Sequence, residues 1–114
     1  MVDRRRALGV SGEDAVAAWY ESNGYEVVAR NWRCREGELD LIVRHGRVFV
    51  FCEVKTRTTT NFGYPVEAVT RAKQTKLRHL AARWLADAPL APREIRFDVA
   101  SVLDGTIEVL EGAF

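Results

Sequence analysis

Two apolar runs, each broken by ionisable residues, constrain this chain most. The first is Leu39-Asp40-Leu41-Ile42-Val43 and the second is Val48-Phe49-Val50-Phe51-Cys52-Glu53-Val54-Lys55. β-Branched and aromatic residues dominate both, which favours strands. Between them stands Arg44-His45-Gly46-Arg47. A two-residue His45-Gly46 turn would tie the runs into an antiparallel hairpin, because glycine accepts a positive φ. Such a turn pairs Val43 with Val48, Leu41 with Val50 and Leu39 with Cys52.

Side chains alternate across a strand, so this hairpin has two unlike faces. One carries Leu39, Leu41, Val43, Val48, Val50, Cys52 and Val54 and is wholly apolar. The other carries Glu38, Asp40 and Ile42 beside Phe49, Phe51, Glu53 and Lys55. Asp40 lies diagonally from Glu53, within reach of a shared ligand. Two carboxylates about 4 Å apart repel by roughly 4 kcal/mol at an effective dielectric near 20, so a proton, a lysine or a divalent cation should offset them. Hard carboxylate oxygens without an ordered His or Cys set suit Mg²⁺ or Mn²⁺ better than Zn²⁺. Lys55, two residues from Glu53, points the same way and can position a water or stabilise charge at phosphorus. The alternative is a solvated strand face laced with cross-strand ion pairs.

The 114 residues predict one domain, large enough for a core without staples. Hydrophobic residues make up 47% and charged residues 29%, which excludes a disordered chain. A formal net charge of +1 provides no global basic field, so a nucleic-acid partner would be held by a local patch. The two cysteines, Cys34 and Cys52, lack a metal or redox spacing, which fits a reducing cytoplasm. No long apolar stretch predicts a membrane span or signal peptide.

Residues 1–10 read as a mobile basic lead, and residues 11–114 as the single domain. Ser11 offers an N-cap with Asp14 as its capping-box partner, and Gly24 stops the helix after Asn23. Val16, Trp19, Tyr20 and Asn23 form its buried stripe. Glu13 sits at the edge of that stripe, either as a first-turn carboxylate favoured by the helix dipole or as a third acidic ligand. A strand follows from Tyr25 to Trp32, and Gly37 marks a bend before the hairpin. Beyond Lys55 comes a polar loop holding Arg57, Phe62 and Tyr64, placed to meet a substrate, its aromatics able either to stack on bases or to anchor the loop.

Pro65 suits the first position of a second helix, ending near Asp87 before Pro89 and Pro92. Its apolar stripe is Val66, Val69, Leu77, Leu80, Ala81 and Trp84. Lys73 falls in the middle of this stripe and Gln74 at its edge. Lys73 either snorkels or points to the carboxylates, where Gln74 can hydrogen-bond a ligand. Arg71, Lys76, Arg78 and Arg83 lie off the stripe, as a solvated face or a phosphate-contacting surface. A closing hairpin turns at Asp104-Gly105. Asp98, out of phase with its apolar neighbours, is expected to be structural. The order α-β-β-β-α-β-β gives an α/β fold, a mixed sheet flanked by helices.

Gly12-Glu13, Gly37-Glu38-Leu39-Asp40-Leu41-Ile42, Phe51-Cys52-Glu53-Val54-Lys55-Thr56-Arg57, Lys73-Gln74-Thr75-Lys76-Leu77 and Arg96-Phe97-Asp98-Val99 together resemble the YraN-like bacterial proteins. These are related to the PD-(D/E)xK, or restriction-endonuclease-like, superfamily and to archaeal Holliday-junction resolvases. The resemblance implies a restriction-endonuclease-like fold and a Mg²⁺- or Mn²⁺-dependent nuclease acting on DNA, including branched forms. It assigns catalytic roles to Asp40, Glu53, Lys55, Gln74 and Glu13, with Asp40, Glu53 and Glu13 holding metal. Arg57, Tyr64, Arg71, Lys73 and Lys76 are the expected nucleic-acid contacts, and a homodimer suits cleavage of both strands. A non-catalytic nucleic-acid-binding module and a protein-interaction scaffold on the same fold stay open.

Overall fold

The computed structural model describes residues 4–57 and 69–114, with side chains described for 12–56 and 69–114. The elements are α1 (Arg4–Ser22), β1 (Glu26–Cys34), β2 (Gly37–His45), β3 (Val48–Arg57), α2 (Arg71–Ala86), β4 (Glu94–Leu103) and β5 (Thr106–Leu110). The five strands form one sheet in the order β1-β2-β3-β4-β5. Only β3 and β4 run parallel, as the passage through α2 between them requires. The mixed α/β architecture and its element order are those expected.

The sheet separates two cores. Against α1 pack Val16, Ala17, Tyr20, Leu41, Val43, Val50, Cys52, Ala100 and Val102. Against α2 pack Leu39, Ile42, Phe49, Phe51, Val69, Leu77, Leu80, Ala81 and Val99. Full burial of a Val, Leu, Ile or Phe side chain contributes about 1.5–3 kcal/mol, so both layers add to stability. Asp98 is also fully buried, and it is structural. Tyr20 Oη donates to it at 2.6 Å, Arg96 donates twice at 2.8 and 3.0 Å, and the Gly112 N–H donates at 3.0 Å. Those donors offset the cost of burying a carboxylate and fasten α1 and the C-terminal segment to β4.

Several expectations need correction. Helix α1 starts at Arg4, so it takes in most of the basic lead and leaves Ser11 inside the helix rather than capping it. Arg, Ala and Leu are strong helix formers, and Arg4-Arg5-Arg6-Ala7-Leu8 extends the helix before any cap is needed. Helix α2 begins at Arg71, capped by the Thr70 side chain, which accepts from the Lys73 N–H at 3.2 Å. The expected start at Pro65, with Phe62, Tyr64 and Val66, lies outside the described residues. So does the side chain of Arg57.

The central hairpin turns at Gly46-Arg47, with His45 paired to Val48, Val43 to Val50 and Leu41 to Cys52. Gly46 has φ +61°, so the glycine occupies the first turn position rather than the second. The register differs from expectation by two residues. An even slip preserves the faces, whereas a slip of one exchanges them. Leu39 nevertheless leaves the face of Leu41 and joins the α2 core. The cause lies across the β1–β2 ladder. Asn31 has φ +50° and stands between the pairs Arg30–Leu41 and Trp32–Leu39, opposite Asp40. A left-handed residue in a strand rotates the chain that follows it. Together with the register shift between Val27 and Ala29, it places Ala29 and Trp32 on the α2 side.

Candidate active site

The irregularity at Asn31 and Asp40 sets the site. The β2–β3 ladder ends at Leu41–Cys52, and Asp40 and Glu53 are the first residues beyond it on their two strands. Asp40 does not continue the ladder through its main chain. Its carboxylate accepts the Val54 N–H at 2.9 Å. Asp40 and Glu53 line one small cavity of about 10 Å³, walled by Leu39, Phe51, Leu77 and Phe97. That is close to the room a single water needs.

Burial sets the electrostatics. Glu53 is only 8% exposed and Asp40 is half-buried. Loss of solvent raises the carboxyl pKa of both, and the Asp40 charge raises Glu53 further. The Val54 N–H opposes the rise at Asp40, and Lys73 and Lys55 oppose it at Glu53. Lys55 Nζ lies 3.6 Å from Glu53 Oε1 and Lys73 Nζ lies 3.9 Å from it. Two cations do not restore the ordinary pKa, because desolvation is the larger effect.

Glu13 approaches from α1. Burial raises its pKa, and it feels the Asn31 side chain and the charges of Asp40, Arg30 and Glu38. The Arg30 guanidinium pairs with Asp14, next to Glu13, and so ties this part of α1 to β1 beside Asn31. Gly12 permits the approach, since a Cβ there would overlap Thr56 Oγ1 on β3.

The remaining expected residues take varied places. The Gln74 amide donates to the Val69 carbonyl at 3.1 Å and braces the first turn of α2. Arg71 and Lys76 are exposed, and the Lys76 stem lies over Gly37, with its Cε 3.0 Å from where a Gly37 Cβ would stand. Arg78 stacks on the rings of Phe97 and Phe114, at 5.5 and 5.2 Å from their centroids, and Arg83 pairs with Glu36. Glu38 pairs with Arg33 at 2.9 Å, away from Glu53. Asn31 escaped sequence reading. Its signal was an asparagine inside a strand pattern, a poor strand former that tolerates the left-handed region.

Among the described residues no three His, Cys, Asp or Glu side chains are grouped to hold a metal ion. Asp40 and Glu53 still suit one hard cation. Mg²⁺ commonly binds through one or two carboxylates and completes its shell with water and substrate oxygens. Cys34 and Cys52 are free, and burial pushes the Cys52 thiol pKa upward, away from reactivity. No helix among the described residues is long and apolar enough to cross a membrane.

Comparison with known proteins places this arrangement in a family. Residues 12–102, which span every element of the site, match the model of the uncharacterised protein family UPF0102. A UPF0102 protein of Beutenbergia cavernae is 56% identical over 97 residues, covering 85% of this chain and 82% of that protein. One from Frankia alni is 50% identical over 113 residues, covering 95% and 94%. One from Acidothermus cellulolyticus is 43% identical, covering 96% and 95%. The chain belongs to the UPF0102 family.

Proposed function

We propose that this protein is a PD-(D/E)xK-type nuclease that hydrolyses DNA phosphodiester bonds with Mg²⁺ or Mn²⁺ held by Asp40 and Glu53. One observation carries the reading: two desolvated carboxylates share a cavity, with Lys55 and Lys73 both within 4 Å of Glu53. Burying two acids together is costly, and a fold that needed only stability would do better with apolar residues. When bound, the cation would polarise the phosphate and favour ionisation of an attacking water. Lys55 lies on the same strand as Glu53 and is placed to orient that water and to balance charge gathering on the phosphoryl oxygens. Glu13, on α1, adds an acid within electrostatic reach of Asp40. Arg71 and Lys76 offer exposed phosphate contacts beside the site. The two free thiols agree with a reducing cytoplasm, and a homodimer would supply a second site for the opposite strand.

The test is a cleavage panel of single-stranded, duplex, flap and four-way-junction DNA with Mn²⁺, run beside Asp40→Ala. The variant should lose cleavage while binding DNA near wild type. Unchanged cleavage by Asp40→Ala removes the site assignment. The net charge of +1 favours a protein-interaction module over a strong general DNA binder, and that module predicts neither DNA binding nor Mn²⁺ affinity.

A further inference from the structure

Lys73 occupies a position that local helix physics disfavours. It is the third residue of α2, whose first turn contains no acid and also carries Arg71. The N-terminus of a helix holds partial positive charge, so cations there cost about 0.3–1 kcal/mol each. Lys73 is 40% exposed and reaches inward to Glu53. Among the described residues its ion pair with Glu53 is the only one it makes. The two lysines differ in how they are held. Lys55 shares a strand and a face with Glu53 and keeps that relation whatever α2 does. Lys73 comes from another element, on a flexible four-carbon stem whose ammonium can return to water.

We propose that Lys73 is a resident counter-cation for Glu53 and that a divalent ion displaces it on entering the site. The inference rests on the reading of Asp40 and Glu53 as a metal-holding pair. Charge balance supports it: two carboxylates face two ammonium groups, so an incoming divalent cation leaves two positive charges in excess, and release of Lys73 to water relieves one of them. Lys73 is the one free to leave. Its departure places a cation beside Arg71 at the start of α2, where a substrate phosphate would next be met. Metal loading and anion capture are then linked, each favouring the other.

Calorimetric titration of Mn²⁺ into the full chain tests this without relying on cleavage. Lys73→Met should bind Mn²⁺ about tenfold more tightly than wild type, equivalent to ~1.4 kcal/mol. Arg93→Met, an exposed cation just before β4 and opposite the start of β3, should stay within about twofold, because exposed charges are screened. Unchanged or weaker binding by Lys73→Met, or equal tightening by Arg93→Met, overturns the displacement role of Lys73. An Asp40→Asn chain that binds Mn²⁺ as well as wild type overturns the underlying metal assignment instead. Absence of binding in both wild type and Lys73→Met overturns both.

Discussion

Replacing Gly12 by alanine probes how α1 delivers Glu13. A Cβ at Gly12 would overlap Thr56 Oγ1 and stand 3.3 Å from Thr56 Cβ and 3.5 Å from its Cγ2. Carbon atoms pack comfortably at about 3.5–4.0 Å. Thr56 is β-branched and has few alternative rotamers on a strand, so relief comes mainly from α1 backing away by about 1 Å. Overpacking of this kind costs about 1–3 kcal/mol, and alanine returns about 1 kcal/mol through helix propensity. The net loss should be about 0–2 kcal/mol, or up to roughly 1 M in urea midpoint for a small domain. Glu13 follows Gly12 directly and moves with it. On the proposed nuclease function, where misplacing a catalytic group by about 1 Å can cost ~100-fold in rate, Mn²⁺-supported cleavage should fall along with stability. Thr56→Ala removes the obstruction, and Gly12→Ala/Thr56→Ala should match or exceed the stability of Thr56→Ala. Urea unfolding of the four chains gives the coupling directly, expected at about 0.5–3 kcal/mol for residues in contact. Additive effects would refute the argument that Gly12 seats α1 on β3.

Three further outcomes concern the buried carboxylates. Tyr20→Phe deletes one of four donors to Asp98 without opening a cavity, and should cost about 1.5–3 kcal/mol. Arg96→Met removes the paired cation and should cost about 3–5 kcal/mol; the reverse ranking in urea melts would contradict the network described. Asp40 and Glu53 hold their protons to higher pH in the folded chain than in the unfolded one. Their contribution therefore favours folding below the unfolded carboxylate pKa of about 4 and is lost as pH climbs through the raised folded values. Without metal, Asp40→Asn/Glu53→Gln should gain stability relative to wild type between pH 4 and pH 7. A constant difference across that range would show that burial does not perturb these acids.

Strand identity was legible because alternation and β-branched residues mark a half-buried sheet. The Asp104-Gly105 turn was legible for a local reason, since both residues adopt positive φ. The central turn was misplaced by one position because Gly46 fits either turn site, and flanking hydrophobicity is equal in both registers. Leu39 was misassigned because strict alternation assumes an unbroken strand, and Asn31 on a different strand breaks it. The site showed itself through Asp40, Glu53 and Lys55, charges within apolar runs. Lys73 was half-legible: its place in an apolar stripe demanded a partner, but only tertiary structure identifies Glu53. The Gly12–Thr56 approach left no sequence signal, since a glycine in a helix reads first as a weakness.

The hydrogen bond from the Val54 N–H to Asp40 gives that aspartate a second employment. It stands in for a missing ladder acceptor, so an architectural need preserves an acceptor at position 40 whether or not the site has a chemistry. Asn would serve that need as well as Asp. Glu53 has no such main-chain duty among the described contacts, and its burial is a standing cost. Persistence of Asp40 in a lineage therefore reports on folding as much as on use, whereas persistence of an acid at position 53 tracks the site itself.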